Sequence, residues 1–400
     1  MRLIFVTLGY HPDSVGGAYR YIADLAERLA QRGHKVAVIY PVAKDQSTAR
    51  DTLNGVERYR YPDAEGMFFA NWNTENRNVR TLWLEVTKYG AEPSITVLCH
   101  AFFSPLLHVS GPNSVFLFTG PWAEEYRFAQ QARALGMGRK ALDVVIRRTM
   151  RISEGQALRR SRAIATISEY YLRELPRWHG GGLPPVRVIF GGVDLQRFQL
   201  PANRVAVREK WKLDDRDFLF LTVRRLDPRM GLSSLIRAFA LVALNHPNAR
   251  LWLAGKGPDA PQLEALVRES QLEHHVKLLG FVPEADLPSL YAAADCTLMP
   301  SLDLEGFGLA TVESLACGTP VMGTRSGATP ELLEPLDAQL LFEPGDVAGL
   351  TRKLEKVLQQ PGALPDREKC RRYAEERFCW DLPVEKFETL LRQLSNPEGV

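Results

Sequence analysis

The chain has 400 residues, of which 45% are hydrophobic and 24% are charged, and its formal net charge is +3. These proportions are ordinary for a soluble globular protein, and the length predicts two domains that can each bury a core. No apolar run reaches the roughly 18 residues that a membrane span needs, so the sequence predicts no span.

The five cysteines are odd in number and show no paired spacing. This pattern favours a reducing cytoplasm over disulfides, and no cluster of His, Cys and Asp has the spacing of a zinc site. We therefore expect a cytoplasmic protein without a built-in metal or other cofactor.

The first half begins with a strand, a glycine loop and a helix. Residues 2–8 (RLIFVTL) form the predicted strand, and residues 18–31 show the apolar spacing of a helix. A second strand follows at 35–40, and this order is typical of a parallel sheet. Gly16 and Gly17 then lie at the carboxyl end of the first strand, where open α/β sheets bind ligands. The alternative is a loop that needs glycine only for its backbone geometry.

Another buried strand is predicted at 95–100 (ITVLCH), with His100 at its carboxyl tip. This position favours a role in a ligand site. The alternative is a histidine held by a hydrogen bond in the core or in a loop.

The segment from Arg127 to Arg162 is strongly basic. It holds ten lysines and arginines against Asp143 and Glu154, so ten minus two gives +8 and leaves −5 for the rest of the chain. One face is expected to pack through its apolar residues, which are Leu142, Val145, Ile146, Met150 and Ile152. The other face is either solvated or docks on the anionic inner face of a membrane, where each basic residue contributes about 1 kcal/mol. We expect no nucleic-acid partner.

The second half repeats the alternation of strands and helices after a linker that follows Gly191 and Gly192. Strands are predicted at 218–223, 250–254, 276–279, 296–299, 320–323 and 339–342, and helices at 233–244, 262–270 and 287–294. This order predicts a second doubly wound α/β domain. We place the domains at 1–197 and 198–382, and an amphipathic segment at 383–400 is expected to return to the first domain.

Three arginines follow the predicted strand at 218–223, namely Arg224, Arg225 and Arg229. Guanidinium groups bind phosphate oxygens in a bidentate manner. Three of them at one strand end therefore predict a phosphate site, with unliganded surface arginines as the alternative.

The segment 300–313 (PSLDLEGFGLATVE) lies between the strand at 296–299 and a helix. Gly306 and Gly308 let a ligand approach the backbone, and the first N–H groups of the helix form an anion site. Glu305 before the helix and Glu313 about a turn inside it flank that site. The arrangement suits a sugar joined to a nucleotide by a diphosphate. The alternative is a glycine-containing turn beside two solvated glutamates.

With these residues in view, the chain resembles the retaining glycosyltransferases of family 4. The most specific match is EGFGLATVE, in which seven residues separate two glutamates. Further segments match in the same order: VGGAYRYIADLAERLAQRGHKVAVI, VIFGGVDLQRF, TVRRLDPRMGLSSLIRAF, LAGKGPDAPQLE, VKLLGFVPEADLPSLYAAADCTLMPS and ACGTPVMGTRSGATPELL. The resemblance covers essentially the whole chain and implies the GT-B fold, α/β with two Rossmann-like doubly wound parallel-sheet domains facing a central cleft.

The resemblance implies a role for each matching residue. Glu305 would accept hydroxyls of the donor sugar, Glu313 would hold the ribose hydroxyls, and Arg225 would bind the diphosphate. His100 would lie on the acceptor side, so the expected catalytic set is His100, Glu305 and Arg225. Further donor contacts are implied for Gly16, Gly17, Val282, Gly306, Phe307, Gly308 and Leu309.

The implied reaction moves a hexose from a UDP- or GDP-sugar to a sugar or lipid-linked glycan, as in polysaccharide or glycolipid assembly. It retains the anomeric configuration and needs neither metal nor protein nucleophile, because the protein stabilises charge on the departing diphosphate. Glu305 and Glu313 would serve different parts of one ligand, unlike the carboxyl pair of a glycosidase.

The chain departs from the family pattern at Met230, where a lysine usually stands five residues after the arginine. Arg229 or Lys256 would then supply the missing charge. A milder departure is Gly191, where asparagine is common. Met230 leaves open the alternative of a catalytically silent or epimerase-like protein that binds nucleotide sugars.

Overall fold

The structure is a computed structural model, and it describes residues 1–43, 48–63, 68–88, 94–107, 113–131 and 137–395. The chain divides into two compact units. The first consists of Met1–Phe190 with Asp381–Val400, and the second of Gly191–Trp380. Each unit is built around one sheet.

The first unit contains an eight-stranded sheet. Its strands are β1 (Arg2–Val6), β2 (Lys35–Val42), β3 (Ala49–Leu53), β4 (Val56–Pro62), β5 (Ser94–Leu98), β6 (Ser114–Phe118), β7 (Ala163–Thr166) and β8 (Val186–Val188). They are ordered β3-β4-β2-β1-β5-β6-β7-β8, and all neighbours are parallel except β3 and β4. These two form a hairpin through Asn54 and Gly55, whose positive φ angles of 49° and 83° suit a two-residue turn.

Helices join the strands of the first unit. They are α1 (Gly17–Gln31), α2 (Phe68–Lys88), α3 (Trp122–Gln131), α4 (Met137–Arg160) and α5 (Glu169–His179), with a 3-10 helix at Ala101–Leu106. Strand β1 lies between β2 and β5, so the strand order reverses direction there. Open α/β sheets bind ligands at such a switch point.

The second unit contains a six-stranded parallel sheet. Its strands are β9 (Phe218–Val223), β10 (Ala249–Ala254), β11 (Val276–Gly280), β12 (Cys296–Met299), β13 (Val321–Thr324) and β14 (Leu341–Phe342). They are ordered β11-β10-β9-β12-β13-β14, so the switch point lies between β9 and β12. The predicted α/β class with two doubly wound, mainly parallel sheets is confirmed.

The helices of the second unit are α6 (Arg204–Lys210), α7 (Leu232–Ala243), α8 (Ala260–Glu269), α9 (Leu287–Ala293), α10 (Leu309–Ala316), α11 (Thr329–Leu333), α12 (Val347–Gln359) and α13 (Arg367–Phe378). Short 3-10 turns lie at Pro228–Met230, Ala338–Leu340 and Pro361–Ala363. Since α7 and α10 follow β9 and β12, their N-termini lie at the switch-point edge of the sheet.

The last helix, α14 (Asp381–Ser395), belongs to the first unit. Its Phe387 is fully buried and stacks on Phe5 of β1, with ring centres 6.4 Å apart. Its Glu388 accepts hydrogen bonds from His34 (2.9 Å) and Arg32 (3.3 Å) just after α1. The C-terminal segment therefore covers the central strand of the first sheet.

The boundary between the units differs from the predicted one. We placed it after residue 197 and the return at 383, whereas the structure divides after 190 and 380. The seven residues 191–197 join the second unit because Val193 N–H donates to Phe378 (2.8 Å) and Arg197 pairs with Glu284 (3.0 Å). The start of the predicted linker is thus bound to the second unit.

Candidate functional site

The β12–α10 loop (residues 300–308) lies at the switch point of the second sheet. It turns through Leu304 and Gly308, which have positive φ angles of 54° and 88°. Gly308 is the N-cap of α10, and no side chain caps this helix. Among the described residues, no side chain therefore occupies the first N–H groups of α10, and their use as an anion site stays a prediction.

Glu305 is held in the middle of this loop by two donors. Its Oε2 accepts hydrogen bonds from Ser301 Oγ and Arg224 Nη2, both at 2.8 Å. Its backbone oxygen accepts the N–H of Ala328 at 2.8 Å, where the chain approaches so closely that a Cβ on Gly327 would lie 2.4 Å away. The carboxylate is therefore fixed before any ligand arrives.

Glu313 is buried one turn inside α10, and Tyr291 Oη donates to its Oε2 at 3.0 Å. The side chain of Glu305 is only 15% exposed. The alternative of two solvated glutamates therefore does not describe this turn.

The three arginines after β9 have separate environments. The Arg224 side chain is 5% exposed and bonds Glu305, whereas that of Arg225 is 70% exposed and lies 3.9 Å from Asp227. Arg229 donates through Nη1 to the carbonyl oxygen of Leu304 at 3.1 Å and so supports the β12–α10 loop. The structure pairs Arg224 with Glu305, a contact that the sequence analysis did not predict. The role assigned to Arg225 stays a prediction.

Lys256 and Phe307, also expected at the donor site, each contact a neighbouring residue. Lys256 lies over the Phe281 ring, 5.6 Å from its centre, beside Val282 at the end of β11. Phe307 is buried, and a Cβ on Gly191 would lie 2.5 Å from its ring. This contact gives a steric reason for glycine where the resemblance favours asparagine.

The glycine loop of the first unit follows β1 at the other switch point. Asp13 anchors it, because Tyr40 Oη donates to Asp13 at 2.6 Å and Arg58 lies 3.5 Å away. Gly16 and Gly17 begin α1 immediately after this anchor. They share the carboxyl edge of the sheet with His100, which follows the neighbouring strand β5.

His100 is a hydrogen-bond acceptor at its Nδ1, which takes the N–H of Phe102 at 3.1 Å and caps the 3-10 helix. Its ring meets Trp122 edge to face, with centres 4.9 Å apart. Burial of the imidazole lowers the pKa of His100 to about 3. The ring is therefore neutral, and since Nδ1 accepts, the proton is on Nε2.

Trp122 was not singled out from the sequence, although it positions His100. Its backbone N–H donates to Glu154 Oε1 at 3.1 Å, and Glu154 Oε2 lies 3.1 Å from His179 Nε2. Both of these side chains are almost completely buried. Glu154 is one of the two acidic residues of the basic segment. It makes buried contacts inside the first unit.

The basic segment corresponds to α3, residues 132–136, which lie outside the described residues, and α4. The expectation of one packed apolar face is wrong for much of α4, because Leu142, Val145 and Ile152 are each more than half exposed. Only Met150 of the five predicted residues is buried, since the face that packs is built from residues 150, 153, 154, 157 and 158. The exposed face of α4 therefore carries both apolar and basic side chains.

None of the helices in the described ranges combines the length and the apolar composition that a bilayer crossing requires. Within those ranges there is also no cluster of His, Cys, Asp and Glu side chains with the geometry of a metal site.

Comparison with known proteins gives two family matches. Residues 203–377 match the family described as glycosyl transferases group 1, and residues 15–197 match that described as Glycosyltransferase Family 4. An uncharacterized glycosyltransferase of Methanocaldococcus jannaschii is 27% identical over 394 residues, covering 95% of each chain.

A second relative, from Corynebacterium glutamicum, is named a GDP-mannose-dependent monoacylated alpha-(1-6)-phosphatidylinositol monomannoside mannosyltransferase. It is 32% identical over 240 residues, which are 56% of this chain and 61% of the relative. Among solved structures, sucrose-phosphate synthase from Thermosynechococcus elongatus superposes with a TM-score of 0.82 at 20% identity, over 98% of both chains. This likeness is one of fold.

Proposed function

Because the chain belongs to the family 4 and group 1 glycosyltransferases, we propose that it moves a hexose from a nucleotide-diphosphate sugar to a sugar or lipid-linked glycan with retention. The observation that carries this proposal is the fixed Glu305 beside the uncapped N-terminus of α10. A preorganised carboxylate next to an anion site suits a ligand with both hydroxyls and phosphates.

The donor is held by the second unit in this proposal. Glu305 accepts hydroxyls of the sugar, and Glu313, fixed by Tyr291, accepts those of the ribose. The N–H groups of Phe307, Gly308 and Leu309 receive the diphosphate at the N-terminus of α10.

The chemical step breaks the bond between the anomeric carbon and the diphosphate oxygen. Negative charge then develops on the diphosphate, where the helix N-terminus and an arginine stabilise it. The acceptor hydroxyl forms its bond to the same face of the anomeric carbon, and its proton passes to the departing phosphate. His100 takes no proton, because burial lowers its pKa to about 3 and its Nδ1 already accepts the Phe102 N–H; in this proposal its Nε2–H donates a hydrogen bond to the acceptor.

A panel of nucleotide sugars identifies the donor. The Corynebacterium relative is named for GDP-mannose and a phosphatidylinositol mannoside, so GDP-mannose is tested beside UDP- and other GDP-sugars. Binding is read as a rise in melting temperature, and the anomeric configuration of the product is read by NMR. An inverted product, or no response to any nucleotide sugar, contradicts the proposal.

Replacing Glu305 by Gln tests the assigned role. The change keeps the shape of the side chain but removes its charge, and we expect transfer to fall by roughly 100-fold, as when one preorganised polar group is lost. The matched control is Glu343→Gln, because Glu343 is 65% exposed in the same unit. Equal activities of the two variants would exclude the role of Glu305.

We further propose that the exposed face of α4 docks on anionic lipid, which suits a lipid-linked acceptor. Val145 and Ile152 are 57% and 52% exposed, and Arg148 is exposed between them along the helix. Apolar side chains that insert among headgroups, together with cations that meet anionic lipid, give this mode of binding.

Vesicles of phosphatidylcholine, with and without phosphatidylglycerol, test the docking face. We expect binding only to the anionic vesicles, weakening as salt shortens the screening length to about 10 Å at 0.1 M. The double variant Val145→Ser/Arg148→Gln is expected to lose binding, whereas Leu244→Ser, at a site that is 80% exposed in the other unit, is expected to keep it. Binding that ignores lipid charge and salt would contradict the proposal.

A further inference from the structure

We propose that Arg224 supplies the diphosphate-facing cation of this chain, in place of a side chain at position 230. The inference rests on the proposed function, since it assigns a donor contact within the same site. It differs from the sequence-based expectation, which looked to Arg229 or Lys256 for the charge missing at Met230.

The guanidinium of Arg224 occupies the space beside Met230. Its Nη2 lies 2.7 Å from Met230 Sδ and 2.8 Å from Glu305 Oε2. The backbone of Arg224 is fixed by its N–H donating to Ala254 (2.9 Å) and by the approach of Gly255, where a Cβ would lie 1.8 Å from the Arg224 oxygen. A thioether at 230 leaves this space uncharged, whereas a lysine there would place a second cation against the guanidinium.

Arg224 also has unpaired N–H donors in the described structure. Within the described part of the chain its Nε and Nη1 have no hydrogen-bond partner, although its side chain is 95% buried. Buried guanidinium groups normally have their donors satisfied, because an unpaired buried donor is costly. Two free N–H directions on a planar fork match the oxygens of a phosphate.

Glu305 lies close to both the guanidinium of Arg224 and the uncapped N-terminus of α10. One carboxylate oxygen of Glu305 bonds Arg224, and the other lies 3.6 Å from the place where a Cβ on Gly308 would be. Arg224 and the helix N-terminus therefore flank one carboxylate, so a diphosphate can take both while its sugar takes Glu305.

The three other cations considered for the diphosphate, Arg225, Arg229 and Lys256, have different surroundings. Arg229 donates to the Leu304 carbonyl oxygen, and Lys256 lies over the Phe281 ring. Arg225 is 70% exposed. Arg224 is the buried cation that contacts the sugar-binding carboxylate.

The test exchanges the two side chains. Arg224→Met, Met230→Lys and the double variant Arg224→Met/Met230→Lys are compared with wild type for transfer and for the affinity ratio of nucleoside diphosphate to nucleoside. We expect Arg224→Met to lower this ratio by roughly 10- to 100-fold, the range of one or two charge-assisted hydrogen bonds. The double variant is expected to regain at least part of it, because a lysine at 230 then meets no neighbouring cation. Nucleoside affinity, set by Glu313 in the proposed function, should not change.

The outcomes separate two failures. If wild type binds no nucleoside diphosphate of the panel, the proposed function is wrong; if wild type binds and Arg224→Met keeps its ratio, only the role of Arg224 is wrong. If Arg224→Met does not fold, Arg224→Lys decides, since a point charge without the planar fork should still lower the ratio. An unchanged ratio in that variant would overturn the inference. Arg216→Met is the matched control, because Arg216 is 85% exposed before β9.

Discussion

We predict that His100 contributes to the acid sensitivity of the first unit, and that His100→Asn removes this contribution. Asparagine is chosen because its Oδ1 accepts the Phe102 N–H much as the imidazole Nδ1 does, and asparagine is a good helix cap. The variant therefore keeps the hydrogen bond but contributes no titrating group.

The size of the effect on the free energy of unfolding follows from the pKa of His100 in the unfolded and in the folded chain. Burial lowers the pKa of His100 from 6.5 to about 3, so the unfolded chain takes up a proton in a range where the folded chain does not. Stability then falls as the pH falls below 6.5, and the fall continues towards the folded value. Between about pH 7.5 and about pH 5.5 this linkage removes about 1.4 kcal/mol from the free energy of unfolding.

Urea unfolding of both proteins at the two pH values measures this difference. The wild type is expected to lose about 1.4 kcal/mol more than His100→Asn on acidification, because all other titrating groups are shared. Equal losses would refute the reasoning. An NMR titration in which the His100 ring protonates near 6.5 would refute it independently.

Three further predictions concern packing, charge and backbone. Phe387→Ala should lower the free energy of unfolding of the first unit by about 3–5 kcal/mol in urea, since the ring is fully buried. Leu382→Ala, at a residue that is 42% exposed, should lower it far less. Similar losses in the two variants would contradict the assigned packing. Burial alone would raise the pKa of Glu388, but the hydrogen bond from the neighbouring histidine and the arginine charge outweigh it and lower the pKa. Glu388→Gln should therefore lower the melting temperature at neutral pH. The difference in melting temperature from wild type should shrink as the pH falls below 4.5 through the lowered pKa, because the wild-type carboxylate is then protonated. A difference that does not change with pH would exclude the charge of Glu388 as its cause. Gly231→Ala should weaken nucleotide-sugar binding in calorimetry, because φ is +71° there and a Cβ would lie 1.9 Å from a carbonyl oxygen of the β12–α10 loop. Gly181→Ala, where a Cβ meets nothing within 4 Å, is its control, and equal binding by the two would count against the importance of that contact.

The sequence predicted best the parts that are buried on both faces. Strands β1, β9 and β12 are continuous apolar runs, and the structure places all three in sheets with parallel neighbours. Strands β3 and β4 were not predicted, because ARDTL and VERYRYP contain charged residues and are not the continuous apolar runs of strands buried on both faces. The alternation in VERYRYP is the signal that could have found β4.

Prediction from the sequence had a similar limit at the candidate site. The order of motifs was enough to place Glu305 and Glu313 around one helix N-terminus, since both lie within a few residues of α10. The choice between Arg224 and Arg225 depends on which side of a strand end each faces, and adjacent residues of a strand face opposite ways. No spacing rule settles that choice where the chain leaves β9, so Arg224 emerged only from its buried contacts.

The packing of α14 on β1 bears on how this protein can be cut into fragments. The chain crosses between the units twice, at 190/191 and 380/381, so both ends belong to one unit. A fragment ending at 380 would keep every residue of the second unit but expose Phe5 and the arginine and histidine that follow α1. A gene for the first unit alone therefore needs residues 381–395 joined back to it, for example through a linker after residue 190.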